Sequence, residues 1–383
     1  MPPVDTYHWT LADGISGPSP VVVREISSNI DDGNNIKHNR LVTPIRGTFC
    51  GTIRMKRAAV HKGAFIGMLA MVIDDYGGPE VFRLADVPTL PLGPQDVAIE
   101  IYATSVNPID WKMRQGLLKA QRPLSFPAIL GWDAAGRIAA VGSQVTRFKP
   151  GDPVFTRPAI DRPGTYAQTV IVHESLVAPK PPTLTYLEAA SAPLAGLTAW
   201  HALVDIAQVR PQQRVLIHGG AGGVGGYAIQ LAKALGAEVI TTARAERHPY
   251  VRSLGADQVI DYQHQPFETA MDSVDVVLDT IGGTVQDRSF QVLKPGGVLV
   301  SIVRQPDAAM AARYQVRGEW FFLEPDGEKL AKLGAFFTDG RIRPIVQQVF
   351  PLEDLPAAHR LSESGQTQGK IGVIVDPSQA ETR

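Results

Sequence analysis

A single cysteine, Cys50, occurs in 383 residues, which excludes an intramolecular disulfide framework and any zinc site built from clustered cysteines. Long hydrophobic runs are missing too: "AFIGMLAMVI" is strand-sized, well short of the roughly 20 residues a membrane span needs. Excess charge of either sign is also absent. A formal net charge of −1 with 20% charged residues makes no electrostatic case for nucleic acid. The 44% hydrophobic content is ordinary for a soluble globular protein, and the length suffices for two domains and an appendage. No internal repeat is visible.

Acidic residues vanish from residues 33–73, where Lys and Arg recur. That bias is similar to a mitochondrial targeting segment, but Asp5, Asp13, Glu25, Asp31 and Asp32 precede it and the stretch is not terminal. "ADGISGPSP" and "NIDDGNNIKHN" are rich in turn formers and carry no periodicity. A natural start at Met68 and a disordered tail are the alternatives to a targeting segment; residues 1–67 are expected to be a poorly ordered, non-catalytic extension, and the protein is expected to be cytoplasmic.

Glycine, by contrast, is concentrated in "RVLIHGGAGGVGGYAIQLAKALGAEVITTAR". A buried-strand pattern at residues 215–217 runs into a turn containing Gly219, Gly222, Gly223, Val224 and Gly225, then into apolar residues at helical spacing closed by Gly236. Glycines let the backbone approach phosphates, and the helix offers unpaired N–H groups and its positive dipole end to a pyrophosphate. Further strands are predicted at 238–242, 258–262, 274–279 and 297–303, with helices between them. That alternation predicts a doubly wound parallel sheet. The second strand's tip, from Thr242 to Arg247, has no carboxylate at its end but offers Arg244 and Arg247. This favours the 2′-phosphate of NADPH; Glu246, if turned inward, would favour NADH. Asp279 and Ile281 end the fourth strand at the carboxyl edge, where ligands of such sheets collect.

Residues 68–185 alternate short β-like runs with Gly/Pro turns, predicting a compact β-rich domain. "YLEAASAPLAGLTAWHAL" then reads as a helical bridge bent at Pro193 and Gly196. The stretches "AMVIDDYGGPEV", "SVNPIDWKMRQG", "ILGWDAAGRIAAVG", "FKPGDPVF", "GTYAQ", "AASAPLAGLTAW", "HGGAGGVG", "SLGADQVIDY" and "GKIGVIV" follow one another in order. Together they resemble the zinc-free quinone oxidoreductase branch of the medium-chain dehydrogenase/reductase superfamily. "SVNPIDWKMRQG" is in addition similar to alkenal/enone reductases.

The resemblance implies an α/β architecture: a GroES-like β-rich catalytic domain in two segments, 68–190 and 326–383, around a Rossmann NADP-binding domain at 191–325. Where zinc-dependent relatives place Cys and His, this chain carries Asn107 and Trp132, so no metal is expected. Without a Lewis acid, acceptors needing only a hydride and modest polarisation are favoured: a quinone, or the conjugated C=C of an α,β-unsaturated carbonyl. Asn107 can donate to a carbonyl oxygen or to the cofactor ribose, although Asn-Pro is also a turn former. By resemblance Lys112 supplies a proton or polarises oxygen, Thr198 lies near the nicotinamide, Tyr262 near the adenine ribose and Lys370 near the cofactor. Trp111, Trp132 and Tyr166 either wall an apolar substrate slot or belong to the core. Two alternatives stay open, an enoyl-thioester reductase and a non-catalytic NADPH-binding sensor. A small-molecule electrophile is the expected partner, with no membrane, and a homodimer through "EWFFL" is implied by the relatives. Deleting residues 1–67 should leave turnover intact; a large drop for that truncation would contradict a non-catalytic extension.

Overall fold

Short apolar runs broken by Gly and Pro are too brief for helices, and from residue 67 they pair into sheets. The computed structural model describes residues 67–383 and, before them, only the backbone of two antiparallel strands, β1 (Ser28–Ile30) and β2 (Ile36–His38). Apart from these and Gly67, the expected extension at 1–67 lies outside the described residues. The β-rich part comprises β3 (Gly67–Ile73), β4 (Phe82–Pro88), β5 (Asp96–Val106), β6 (Ala128–Ile129), β7 (Ala134–Val141), β8 (Pro153–Thr156), β9 (Thr169–His173) and β10 (Val177–Pro179). Strand β5 is its axis, pairing antiparallel with both β7 and β9. Val97, Ile99 and Ile101 fill one apolar cluster, while Tyr102 and Ala103 pack into another. Helix α1 (Pro108–Arg114) follows at once, opened by proline, whose missing N–H costs nothing at a first turn.

The parallel sheet follows α2 (Tyr186–Ala190) and α3 (Pro193–Trp200). It contains β11 (Arg214–Ile217), β12 (Glu238–Ala243), β13 (Gln258–Asp261), β14 (Val274–Asp279), β15 (Leu293–Ser301) and β16 (Arg317–Trp320). Between these strands run α4 (Gly223–Ala234), α5 (His248–Ser253), α6 (Phe267–Ala270), α7 (Gly283–Ser289) and α8 (Ala308–Tyr314). The strand order is β13-β12-β11-β14-β15-β16 with every neighbour parallel, so β12 and β13 lie on one side of β11 and β14 to β16 on the other. Leu216 enters one cluster with Ile240, Val277 and Leu299; Val215 and Ile217 enter the opposite one with Val239 and Leu278. Both faces of the sheet are covered, which is why its strands read as unbroken apolar runs. At ~1.5–3 kcal/mol for each fully buried aliphatic side chain, that central strand is fixed by its own composition.

After α9 (Gly327–Thr338), the chain returns to the first sheet. β17 (Val346–Pro351), α10 (Leu355–Glu363) and β18 (Lys370–Ile374) complete it, with β18 antiparallel to β5 and Ile371 opposite Val106. The sheet order becomes β10-β8-β7-β5-β18-β17, with β9 also on β5. This is the expected two-part fold, a GroES-like sheet and a doubly wound parallel sheet.

Two local expectations need correction. Gly196 makes no bend: it lies inside α3, where a methyl would come within 2.5 Å of Leu333 of α9, so close packing is its reason. The expected dimer edge "EWFFL" is strand only as far as Trp320: Phe321 packs edge-on to His201, and Phe322 carries the Arg122 guanidinium 4.3 Å from its ring centroid. Cation–π contact and apolar burial turn these rings back onto their own chain.

Candidate active site

The glycine turn is built by close approach. Gly219 has φ +70, and a Cβ at Gly225 would sit 2.3 Å from the Gly219 carbonyl oxygen, so any side chain there would break the turn. Gly222 caps α4, leaving the N–H groups of Gly223, Val224 and Gly225 without intrahelical acceptors. Unpaired N–H groups at a helix start are the kind that can receive an anion. Thr242 is buried near the end of β12. Its Oγ1 accepts from Gly219 N at 3.2 Å and lies 3.2 Å from His218 Nδ1, so it braces the turn. Burial pushes the His218 imidazole down to about 4, keeping it a neutral link to Ser289.

At the tip of β12 the two arginines differ. Arg244 Nε donates to the Tyr262 hydroxyl at 2.9 Å, which orients the guanidinium while its remaining N–H groups stay unassigned. Tyr262 itself is half exposed. Arg247 is committed elsewhere: it donates to Gln368 Oε1 at 2.6 Å and to the Gln366 carbonyl at 3.1 Å, tying this loop to the C-terminal segment. Glu246 is exposed. Asp279 is not free for a cofactor. Its oxygens accept from Ile281 N, Gly282 N, Gln286 Nε2 and Ser301 Oγ, so it shapes the turn from which Ile281 projects half exposed. Thr198 donates to the Leu194 carbonyl within α3.

The ends of β5, β7 and β18 bring the second half of the site together. Asp133, fully buried, accepts from Ser105 Oγ (2.5 Å), Asn107 Nδ2 (2.7 Å) and Lys370 Nζ (3.3 Å). Its other oxygen accepts from Leu194 N (2.6 Å) in the first turn of α3, a favourable seat for an anion. Lys370 Nζ also donates to Asn107 Oδ1 and to the Val106 carbonyl (3.1 Å). One Asn107 N–H is thus used internally, and the second makes no hydrogen bond among the described residues. Gly369 N donates to the Ala221 carbonyl (2.8 Å), which brings the glycine turn against this network.

Lys112 is not the lysine beside Asn107. It stands in the last turn of α1, half buried, 5.6 Å from the centroid of its neighbour Trp111. Trp132 and Tyr166 are 1% and 0% exposed, inside an apolar cluster with Phe82 and Leu130, so they do not wall an open slot; Trp111 is only half buried.

Tyr166 belongs to a second network. Arg114 only donates, so its 3.0 Å contact makes His359 Nδ1 the acceptor. His359 Nε2 then donates to the Tyr166 hydroxyl (3.1 Å), and that hydroxyl donates to Asp110 Oδ2 (2.6 Å). Arg114 is ion-paired with Glu363. Burial and the Arg114 charge push His359 well below its ordinary range; burial pushes Tyr166 well above its own. Burial also pushes Asp110 up to about 7, against the opposing hydrogen bonds from Tyr166 and Asn107 N. Asp110 Oδ1 is buried without a partner. The sequence reading missed Asp133, Asp110, Ser105 and His359. Asp110 had a local signal, an acid three residues after a helix-capping Asn; the others had none.

Among the described residues, no group of three or more His, Cys, Asp or Glu is placed to hold a metal ion. No helix there is long and apolar enough to cross a membrane.

A parallel nucleotide fold with a phosphate turn, facing a buried polar site on a GroES-like sheet, defines a nicotinamide-dependent oxidoreductase acting on a small molecule. Family models agree: "Alcohol dehydrogenase GroES-like domain" matches residues 93–182, "Alanine dehydrogenase/PNT, C-terminal domain" 197–303 and "Zinc-binding dehydrogenase" 254–373. The chain is 34% identical over 359 residues to the mitochondrial NAD(P)H oxidoreductase RTN4IP1 of Danio rerio, covering 82% of this chain and 93% of the relative. It is 36% identical over 322 residues to a chloroplastic NADPH-dependent alkenal/one oxidoreductase of Arabidopsis thaliana, covering 81% and 80%. The solved quinone oxidoreductase of Coxiella burnetii superposes with a TM-score of 0.75 at 35% identity, covering 81% of this chain and 99% of that one. The chain belongs to the quinone oxidoreductase branch of the medium-chain dehydrogenase/reductase superfamily. The expected cytoplasmic location does not stand: the Danio rerio and Arabidopsis thaliana relatives are named as mitochondrial and chloroplastic enzymes.

Removing one partner of a buried ion pair strands the other. Lys370→Met should destabilise the protein by about 3–5 kcal/mol in urea unfolding. Adding Asp133→Asn should recover part of that loss, and a double variant no more stable than Lys370→Met would contradict the pairing.

Proposed function

We propose that this chain is an NADPH-dependent reductase of quinones or of the conjugated C=C of α,β-unsaturated carbonyls, working without zinc. The observation that carries this is the Lys370 ammonium seated among Asn107, Val106 and Asp133: the cation of the site is already supplied by the chain. Asn107 and Asp133 are engaged with that ammonium, and neither forms part of a zinc ligand set of Cys and His.

The residues fit a phosphorylated dinucleotide. The N–H groups of Gly223, Val224 and Gly225 suit its pyrophosphate, and Arg244, oriented by Tyr262, suits a 2′-phosphate. When bound, the reduced nicotinamide supplies a hydride. Asn107 presents its second N–H toward the acceptor oxygen, and its orientation is fixed by Asp133 and Lys370 on either side. Asp110, raised to about 7 with one oxygen unpartnered, holds a proton up to neutrality one helical turn away. It is our candidate for the proton that completes the reduction.

Arg244→Asp should raise KM for NADPH far more than KM for NADH, measured with a panel of quinones, enones, alkenals and enoyl thioesters. Equal effects on both cofactors would move phosphate recognition elsewhere. Binding of NADPH without turnover on any acceptor would overturn the reductase assignment.

A further inference from the structure

Four adjacent strands end side by side in the order β8-β7-β5-β18. The register Ala134↔Thr156 sets Arg157, just past β8, beside Asp133, just before β7. The row of residues at these ends is therefore Arg157, Asp133, Asn107 and Lys370. Asp133 is taken by Lys370, Asn107, Ser105 and Leu194 N. Arg157 has no ion-pair partner among the described residues, although it is only 2% exposed. Its one hydrogen bond there runs from Nη1 to the Pro158 carbonyl at 2.9 Å, and its Nε is buried without an acceptor. The indole N–H groups of Trp132, next to Asp133, and of Trp111, on α1, are buried and unpartnered as well.

Such donors are expensive to leave unmet: about 1–3 kcal/mol for a neutral group and more for a charged one. Burial draws Arg157 down to about 10, partly offset by the Asp133 charge, so it stays a cation at neutral pH. A buried guanidinium whose Nε–H has no acceptor fits a ligand that brings oxygen acceptors and negative charge.

We propose that Arg157 anchors the acceptor oxygen on which negative charge develops during reduction. This rests on the reductase assignment above. In the step it serves, a hydride with its two electrons bonds to the electron-poor carbon, and the C=C π pair shifts so that an electron pair comes to rest on oxygen as an enolate. A quinone gives the hydroquinone monoanion by the same electron count. One proton, to carbon or to oxygen, completes the two-electron reduction, and the dinucleotide is the species oxidised. Arg157 stabilises the oxyanion by charge and by donation from its N–H groups, where a ground-state carbonyl gains less. The substrate class that follows is a flat conjugated carbonyl whose oxygen points toward the ends of β7 and β8.

A phenolate resembles that oxyanion and is not reduced, so 4-nitrophenol, whose ionised form is coloured, reports on the anchor without turnover. It is titrated by absorbance on the full chain saturated with NADP⁺. The native protein should lower the bound probe's pKa by about 1 unit or more, as a nearby opposite charge does. Arg157→Met should abolish the shift and Arg157→Lys should keep part of it, with circular dichroism confirming that each is folded. If the Met variant does not fold, the Lys variant and Arg157→Gln carry the comparison. In turnover, Arg157→Met should lower kcat on the order of a hundredfold with KM for NADPH little changed. An unaltered probe titration in the variants, or no probe binding by the native chain, would overturn the anchor. Arg157-dependent phenolate binding without NADPH oxidation on any acceptor would support the anchor while sinking the reductase assignment; normal turnover in the Arg157 variants would sink the anchor alone.

Discussion

The buried pair of Asp133 and Lys370 is the constraint on which the rest of the site depends. A carboxylate with no exposed surface is tolerable only when its lone pairs are filled, and here four donors fill them: a hydroxyl, an amide, a backbone N–H and an ammonium. Those donors come from the end of β5, the first turn of α3 and the start of β18. One charge therefore fixes the catalytic strand, the helix leading to the nucleotide sheet and the returning C-terminal strand in relation to one another. Asn107 sits between carboxylate and ammonium with both ends of its amide engaged. Its orientation is set before any ligand arrives, as preorganised catalysis requires.

The second network does complementary work. The chain of donors from Arg114 through His359 and Tyr166 has one polarity, because an arginine can only give hydrogen bonds, and it ends on one oxygen of Asp110. The other oxygen is left bare in a dry setting. The same burial that would weaken an ordinary acid makes this one able to keep a proton near neutral pH. The two networks meet at Asn107, whose backbone N–H donates to Asp110 and whose side chain faces Asp133.

What was legible in the sequence was local. The strand, glycine turn and helix from β11 to α4 announce themselves because their requirements repeat within a few residues: apolar runs for a covered strand, glycines for close backbone approach, helical spacing behind them. Residue types at element tips were also visible, but their commitments were not. Arg247 and Asp279 look like ligand contacts in one dimension; in three, one is bonded to Gln366 and Gln368 and the other to its own turn. Lys112 stood close to Asn107 in sequence, yet the lysine that reaches it is Lys370, delivered by the antiparallel register of β18 on β5. Asp133 was obscured by Trp132 beside it, and no periodicity singles out His359. Burial and register create these roles, and neither is written in spacing.

Because the Lys370 ammonium is proposed as the cation of the site, metal dependence is the sharpest test. The most direct measurement is NADPH oxidation by a conjugated enone or quinone, using the full chain before and after exhaustive chelation, with metal content determined on the same sample. Unchanged turnover in metal-free protein is the expected result. Loss of activity on chelation, restored by added zinc, would contradict the account.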